Sequence, residues 1–294
     1  MNARAIRKSQ GVWPTPAIGS DGTICIGSYG KLYALDGNTG KEKWISRTEN
    51  QATYDPAIGP DGAIYVGILG GKFYALDGVT GKKKWKFETI HSIQSCPAIS
   101  HNGGIVYVGT NGGKLYALQS ATGDKLWEFS VSLGMFGSPA IGADGTVYVG
   151  VHNSARNFYA NGVYALDGKT GKKKWESPTT DHFGSAPAIG PDGTVYFGSY
   201  VPYGSKGRLT AIDKTTGVVK WQFFTESGSP QPSITSDGTV YVVDGRKMCA
   251  LDANTGQEKW ELSLDDYPSS YGIAIGADGT IYTGTNDGNV YAIR

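Results

Sequence analysis

Several things are scarce in this chain, and each scarcity excludes a class of protein. No apolar run approaches the 18 or more residues of a membrane-crossing helix, so no transmembrane segment is expected. The start, Met1-Asn2-Ala3-Arg4-Ala5-Ile6-Arg7, has no apolar core and does not read as a signal peptide. Charge of one sign is missing too. Lys and Arg number 27 against 26 Asp and Glu, and a nucleic-acid binder normally shows a basic excess. Cysteine is limited to Cys25, Cys96 and Cys249, with no CxxC pair, which excludes a disulfide framework and a thiolate zinc site. Cys25 and Cys249 occupy strand positions that other repeats fill with Tyr, so both read as buried filler. The four histidines His91, His101, His152 and His182 form no HExxH, and no GxSxG precedes a helix. Helical periodicity is absent from every segment of useful length.

What is abundant is Gly, with 44 residues, and aromatics at 12%, a mixture suited to short strands joined by tight turns. The stretch Pro16-Ala17-Ile18-Gly19-Ser20-Asp21-Gly22-Thr23-Ile24-Cys25-Ile26-Gly27 returns from Pro56, Pro97, Pro139, Pro187 and Pro232, and more weakly from Ile273. Turn aspartates fall at Asp21, Asp61, Asp144, Asp192, Asp237 and Asp278, with Asn102 in the third repeat, giving spacings of 40, 41, 42, 48, 45 and 41. A β-rich period near 40 predicts propeller blades.

Each repeat holds four strand signals. Strand A is Pro-Ala-Ile, and an Asp-Gly hairpin turn follows it. Strand B alternates, as in Thr146–Gly150; strand C reads Lys31–Asp36; strand D carries a Trp, as in Lys41–Trp44. The expected fold is all-β: a seven-bladed β-propeller of four-stranded antiparallel blades, forming a single domain over residues 1–294. The seventh repeat stops at strand C, so residues near Arg4–Lys8 are expected to supply its outer strand and close the ring. Deleting residues 1–10 is then expected to lower thermal stability.

The run Ala34-Leu35-Asp36-Gly37-Asn38-Thr39-Gly40-Lys41-Glu42-Lys43-Trp44 recurs at Ala75–Trp85, Ala117–Trp127, Ala165–Trp175, Ala211–Trp221 and Ala250–Trp260. It resembles the tryptophan-docking motif of the pyrroloquinoline quinone (PQQ)-like repeats found in quinoprotein dehydrogenases. It departs from that motif at Gln119 and in the seventh repeat. The resemblance implies a structural docking role for Trp44, Trp85, Trp127, Trp175, Trp221 and Trp260, with each Trp→Ala change expected to cost roughly 3–5 kcal/mol. The dehydrogenases are typically eight-bladed, about twice as long, and hold PQQ with calcium beside two adjacent cysteines. This chain has seven repeats, no Cys-Cys pair and no inserted acidic cluster. Catalytic residues, cofactor and metal are therefore expected to be absent, with a PQQ- and calcium-dependent oxidoreductase as the alternative. The repeats also resemble those of non-catalytic relatives, among them an outer-membrane assembly lipoprotein and sensor domains. That likeness implies a protein, peptide, glycan or small-molecule binding scaffold in an extracytoplasmic compartment, as a monomer or as one domain of a larger protein.

Loop length points to a face. The B–C loops of repeats four and five are expanded as His152–Asn161 and Tyr200–Lys206, while the opposite face keeps short Asp-Gly turns. Variation on one face of a repeat protein is where binding usually lies. Ligand-face candidates are Trp13, Tyr29, Tyr54, Phe136, His152, Phe183, Tyr200, Tyr203, Asp244 and Tyr271, with Asp55, Gln94, Asp266 and Asn286 as polar neighbours. The plainer reading is that these rings cap the hydrophobic core at the channel mouth. Asp181-His182 is expected to approach His152, and the lysine runs at Lys82–Lys84 and Lys172–Lys174 are expected to be solvated faces.

Overall fold

The computed structural model describes residues 15–28, 30–49, 53–132, 134–152, 161–179, 181–183, 186–201, 206–226, 228–268 and 272–294. Every regular element among them is a strand, arranged in seven antiparallel sheets, and none is a helix.

The chain groups into two compact units. The first, Met1–Pro139 with Gly168–Gly171, holds the sheets of repeats one to three. Their strands A to D run Ala17–Ile18, Thr23–Ser28, Lys31–Asp36 and Glu42–Arg47; then Ala57–Ile58, Ile64–Ile68, Lys72–Leu76 and Lys83–Glu88; then Ala98–Ile99, Ile105–Gly109, Lys114–Gln119 and Lys125–Ser130. The second unit, Ala140–Asp167 with Lys172–Arg294, holds repeats four to seven. Repeat four runs Ala140–Ile141, Thr146–His152, Gly162–Asp167 and Lys173–Pro178; repeat five Ala188–Ile189, Val195–Tyr200, Gly207–Ile212 and Val219–Thr225. Repeat six runs Ser233–Ile234, Thr239–Asp244, Lys247–Asp252 and Glu258–Ser263; repeat seven Ala274–Ile275, Ile281–Gly284 and Val290–Ile293. The seventh sheet shows three strands, and the proposed closing strand near Arg4–Lys8 lies outside the described residues.

Burial follows the sequence pattern. Strand Ile64–Ile68 is buried at every position, as a strand covered on both faces must be, and its sequence is a continuous apolar run. Strand Glu42–Arg47 buries Trp44 and Ser46 and exposes the residues between, the period of a half-covered edge.

The tryptophans of strand D reach the turn of the following repeat. In the first unit Trp44 Nε1 donates to Gly78 O at 2.9 Å, Trp85 to Ser120 O at 2.8 Å and Trp127 to Gly168 O at 2.9 Å. In the second, Trp175 donates to Lys214 O at 2.8 Å and Trp221 to Ala253 O at 2.9 Å. The indole N–H of a buried ring needs such an acceptor. Each ring lies on the glycine of the same turn. At Gly123 the backbone has φ +81°, and a Cβ there would come within 2.7 Å of the Trp85 ring, so both conformation and space demand glycine. Trp260 differs: it is 37% exposed and packs on Tyr241 with ring centroids 5.8 Å apart.

One regularity was not evident in the sequence. Strand D of six repeats carries a β-bulge opposite the Ala-Leu or Ala-Ile step of strand C, and the extra residue is Lys43, Lys84, Leu126, Lys174, Lys220 or Lys259. Most of these lysines reach back to the A–B turn. Lys43 Nζ lies 2.5 Å from Thr23 Oγ1 and 3.3 Å from Asp21, and Lys174 lies 2.5 Å from Thr146 Oγ1 and 3.5 Å from Asp144. The two lysine runs are therefore not merely solvated, since Lys84 also pairs with Asp61 at 3.7 Å, Lys83 with Glu49 at 3.6 Å, and Lys173 with Glu176. At Gln119 the turn is kept by Thr122, whose Oγ1 lies 2.6 Å from Asp124 Oδ2.

Candidate functional site

Within the second unit, strand D of repeat four ends at Pro178 and strand B of repeat four ends at His152, so both deliver chain to the same end of the sheet. The connection that follows carries a two-residue strand, His182–Phe183, which pairs with Tyr200 and Ser199 at the end of strand B in repeat five. Strand B of that repeat thus holds two short partners end to end, Ala188–Ile189 being the other.

This extra pairing drives Asp181 inward. The residue is 1% exposed. Its Oδ2 accepts from Ser199 Oγ at 2.9 Å and lies 3.2 Å from Arg208 Nη1. Its backbone carbonyl accepts from Asn161 Nδ2 at 3.1 Å, and its N–H donates to Thr179 Oγ1 at 3.2 Å. One connection is thereby tied to both flanking repeats. Asp181 Oδ1 and Arg208 Nε are buried without a hydrogen-bond partner. A buried carboxylate is tolerated only with a paired cation, which Arg208 provides.

The next residue brings the histidines together. His152 and His182 approach to 2.8 Å between their Nδ1 atoms, with ring centroids 4.3 Å apart and planes at 60°. Such a pair needs one proton donor and one acceptor, so at least one imidazole is neutral. Burial, reinforced by the neighbouring His182, pushes the His152 pKa below the usual imidazole value. The Arg208 guanidinium also stacks over Phe224, 4.8 Å from its ring centroid. Phe224 is 56% exposed and Tyr200 39%, so two large rings stand in solvent beside this buried polar cluster. Below it a cavity of about 40 Å³ is lined by Ser177, Thr179, Ser199 and Thr210 among others.

The remaining candidates fall in several places. Asp244 Oδ1 accepts from the Glu226 N–H at 2.5 Å, at the loop end of repeat six. In the first unit Tyr54 is half-buried, its hydroxyl bonds Gln94, and burial raises its pKa. Asp55 beside it accepts from the Thr15 N–H at 2.7 Å. Asp266 Oδ1 accepts from the Tyr267 N–H, and the Asn286 N–H donates to Tyr267 O. Phe136 and Phe183 lie in two-residue strands whose side chains are not described. Trp13, Tyr29, Tyr203 and Tyr271 lie outside the described residues. Sequence reasoning missed Arg208, Ser199, Asn161 and Phe224. Arg208 aligns with Lys31, Lys72, Lys114 and Lys247 at the start of strand C, so nothing in the alignment of repeats marks it.

Among the described residues no group of three His, Cys, Asp or Glu side chains is arranged to hold a metal. The three thiols are poor nucleophiles, since burial pushes Cys25, Cys96 and Cys249 up to about 12. No helix among these residues is long and apolar enough to cross a membrane.

Comparisons with known proteins bear on the whole chain. The profile of a family described as outer membrane protein assembly factor BamB matches residues 3–153 and 130–294. Among solved structures, the crystal structure of BamB from Moraxella catarrhalis aligns with a TM-score of 0.75 at 20% identity, over 96% of this chain and 85% of that one. At that identity the likeness concerns the fold, and with the seven sheets it identifies a seven-bladed all-β propeller. No curated protein matches.

Proposed function

The chain belongs to the family described as outer membrane protein assembly factor BamB, whose members are built from PQQ-type repeats, and from that membership we propose that it is a non-enzymatic protein-binding scaffold of outer-membrane assembly. In this reading it works outside the cytoplasm. The seven blades act as one domain, held by the docking of Trp44, Trp85, Trp127, Trp175, Trp221 and Trp260, and partners are engaged at the end carrying the D–A and B–C loops.

The observation that carries the proposal is the pairing of exposed rings with a buried, cross-linked polar base in repeats four and five. Arginine and aromatic side chains dominate the energetics of protein interfaces, and they act best when held rigidly. Phe224 and Tyr200 are presented to solvent, while Arg208 beneath Phe224 is fixed by Asp181. A peptide or loop laid across the Phe224 ring gains apolar contact without first ordering the Arg208 side chain beneath it. His152 and Asp244, in the same unit, are proposed to extend that surface.

A photo-crosslinking amino acid at Phe224, compared with one at Thr39 on a C–D turn, tests the assignment. In envelope extracts a discrete adduct to an outer-membrane assembly protein is expected from position 224 and not from position 39. Equal labelling from both positions, or none from 224 in a folded protein, overturns it.

A further inference from the structure

Within each unit a recurring contact fills the space between neighbouring repeats, and one junction lacks it. Two residues after its tryptophan, strand D of a repeat turns a side chain toward strand C of the next. Phe87 meets Tyr116 with ring centroids 5.1 Å apart, and Phe223 packs on the cluster that holds Cys249. Between repeats one and two Ser46 takes the place of the phenylalanine and Tyr74 is kept; between six and seven the residues are Leu262 and Tyr291. Each of these junctions has at least one large side chain. Between repeats four and five, which lie in one unit, both residues are small and polar: Ser177 and Thr210.

Small side chains at a packed junction leave a void wherever the surroundings relax only in part. The cavity of about 40 Å³ below the Asp181 cluster lies here, with Ser177 and Thr210 both in its wall. It has room for about three waters, or for a group of about three bonded heavy atoms. The wall is polar at Ser177, Thr179, Thr210 and Gln222 and apolar at Phe197 and Ile212. Thr210 Oγ1 accepts from Gln222 Nε2 at 3.4 Å, and Thr179 Oγ1 accepts from the Asp181 N–H at 3.2 Å, so each hydroxyl keeps its own proton to donate. Among the described residues no charged side chain is in the wall, and Arg208 and Asp181 nearby are paired with each other. Pro178 and Gln222, which also line the cavity, are exposed, so it opens at the outer strands on the side that carries Phe224.

We propose that this cavity binds a primary carboxamide, whose oxygen accepts from hydroxyls of the wall and whose N–H groups donate to the Gln222 side-chain oxygen. Three heavy atoms fill the space, and a neutral head with both donors and acceptors matches hydroxyl and amide partners. A carboxylate of the same shape is disfavoured, because an ion moved there loses its hydration without gaining a free counter-charge. The source of the group rests on the scaffold reading: it is the side-chain head of an asparagine or glutamine in the segment that lies across Phe224.

The test is a titration of the whole chain, labelled at isoleucine methyls and glutamine side-chain amides, with propionamide. Saturable shifts are expected at Ile212 and Gln222 and not at Ile58 or Ile275. Methyl ethyl ketone, which keeps the carbonyl and lacks the N–H groups, is expected to bind roughly 2- to 10-fold more weakly, and propionate to give no saturable shift. Thr210→Val, which removes one hydroxyl at nearly constant shape, is expected to weaken propionamide binding by a similar factor. Thr210→Tyr, which restores the residue of other repeats, is expected to abolish it. Absent or unselective shifts, equal binding of the ketone or of propionate, or undiminished binding by the folded variants overturns the proposal. Should Thr210→Tyr fail to fold, Thr210→Val and the propionate comparison decide. The source is read from the crosslinked adduct at position 224, which folded Thr210→Tyr is expected to lose; an undiminished adduct overturns the partner as the source and assigns the cavity to a free amide. Selective propionamide shifts in a chain that forms no adduct at all overturn the scaffold reading and support the cavity assignment.

Discussion

Repeats two and five begin strand C with a cation that meets an acid from the connection leading into the repeat. In repeat two Lys72 pairs with Glu49, which also accepts from Tyr74 Oη at 2.5 Å and faces Lys83 at 3.6 Å. In repeat five Arg208 pairs with Asp181. The topology is shared, but the surroundings are not. The Glu49 side chain is 43% exposed and sits at φ +56°, whereas Asp181 is 1% exposed beneath an extra strand. Exposed pairs exchange one hydration shell for another and contribute little, while a buried charge that loses its partner is left without solvent. A pair of an acid and a cation at equivalent places is thus a surface latch in one repeat and an internal tie in the other.

The largest effect that separates the two is expected from Arg208→Met. It leaves the Asp181 carboxylate buried and unpaired, and a loss of roughly 3–5 kcal/mol should appear in urea denaturation. Replacing both residues, as Asp181→Leu with Arg208→Met, should restore most of that loss, because the uncompensated charge goes with its partner. A double variant no more stable than Arg208→Met alone would show that the junction depends on the ion pair itself.

Acidification should take the two regions apart in order. His152 has its pKa depressed by burial and by His182, so the unfolded chain protonates first as pH falls. Its contribution is present above the usual imidazole value of 6.5 and is lost as pH drops through the lowered native value. Glu49 is held at about 2 by Lys72 and Tyr74, so its contribution persists until pH falls from 4.5 toward 2. Amide exchange near Asp181 and Ser199 should therefore accelerate at a higher pH than exchange near Glu49. His152→Gln should remove the first transition and leave the second.

The smallest effect is expected from Lys72→Met, whose melting temperature should fall within the scatter of replicates at 0.15 M salt, where exposed charges are screened. A loss comparable with that of Arg208→Met would erase the distinction between the two pairs.

Much of the fold was legible because each repeat states its own structure. Pro-Ala-Ile, Asp-Gly, the alternating strand B and the Ala-Leu-Asp run fall on the observed strands and turns, since hairpins and pleats are set by neighbouring residues. The bulge on strand D was not legible. It depends on register across two strands, and Lys43 looks like any surface lysine until the extra residue turns it toward Thr23. Around the candidate site, the expanded loops and the His152–His182 approach were suggested by loop length. Arg208 was hidden because its alignment with ordinary strand-start lysines carries no sign of burial.

By itself the sequence determined the number of repeats, the order of strands within each, and the apolar faces to be covered. These are consequences of local turn chemistry and of a pattern repeated every forty-odd residues. The tertiary structure alone decided that Asp181 is enclosed while Glu49 is wet, and that Ile58 of the second repeat packs over Gly19 where Cys25 replaces a tyrosine. Burial and voids belong to the space between segments distant in the chain, and that space exists only once the sheets have packed.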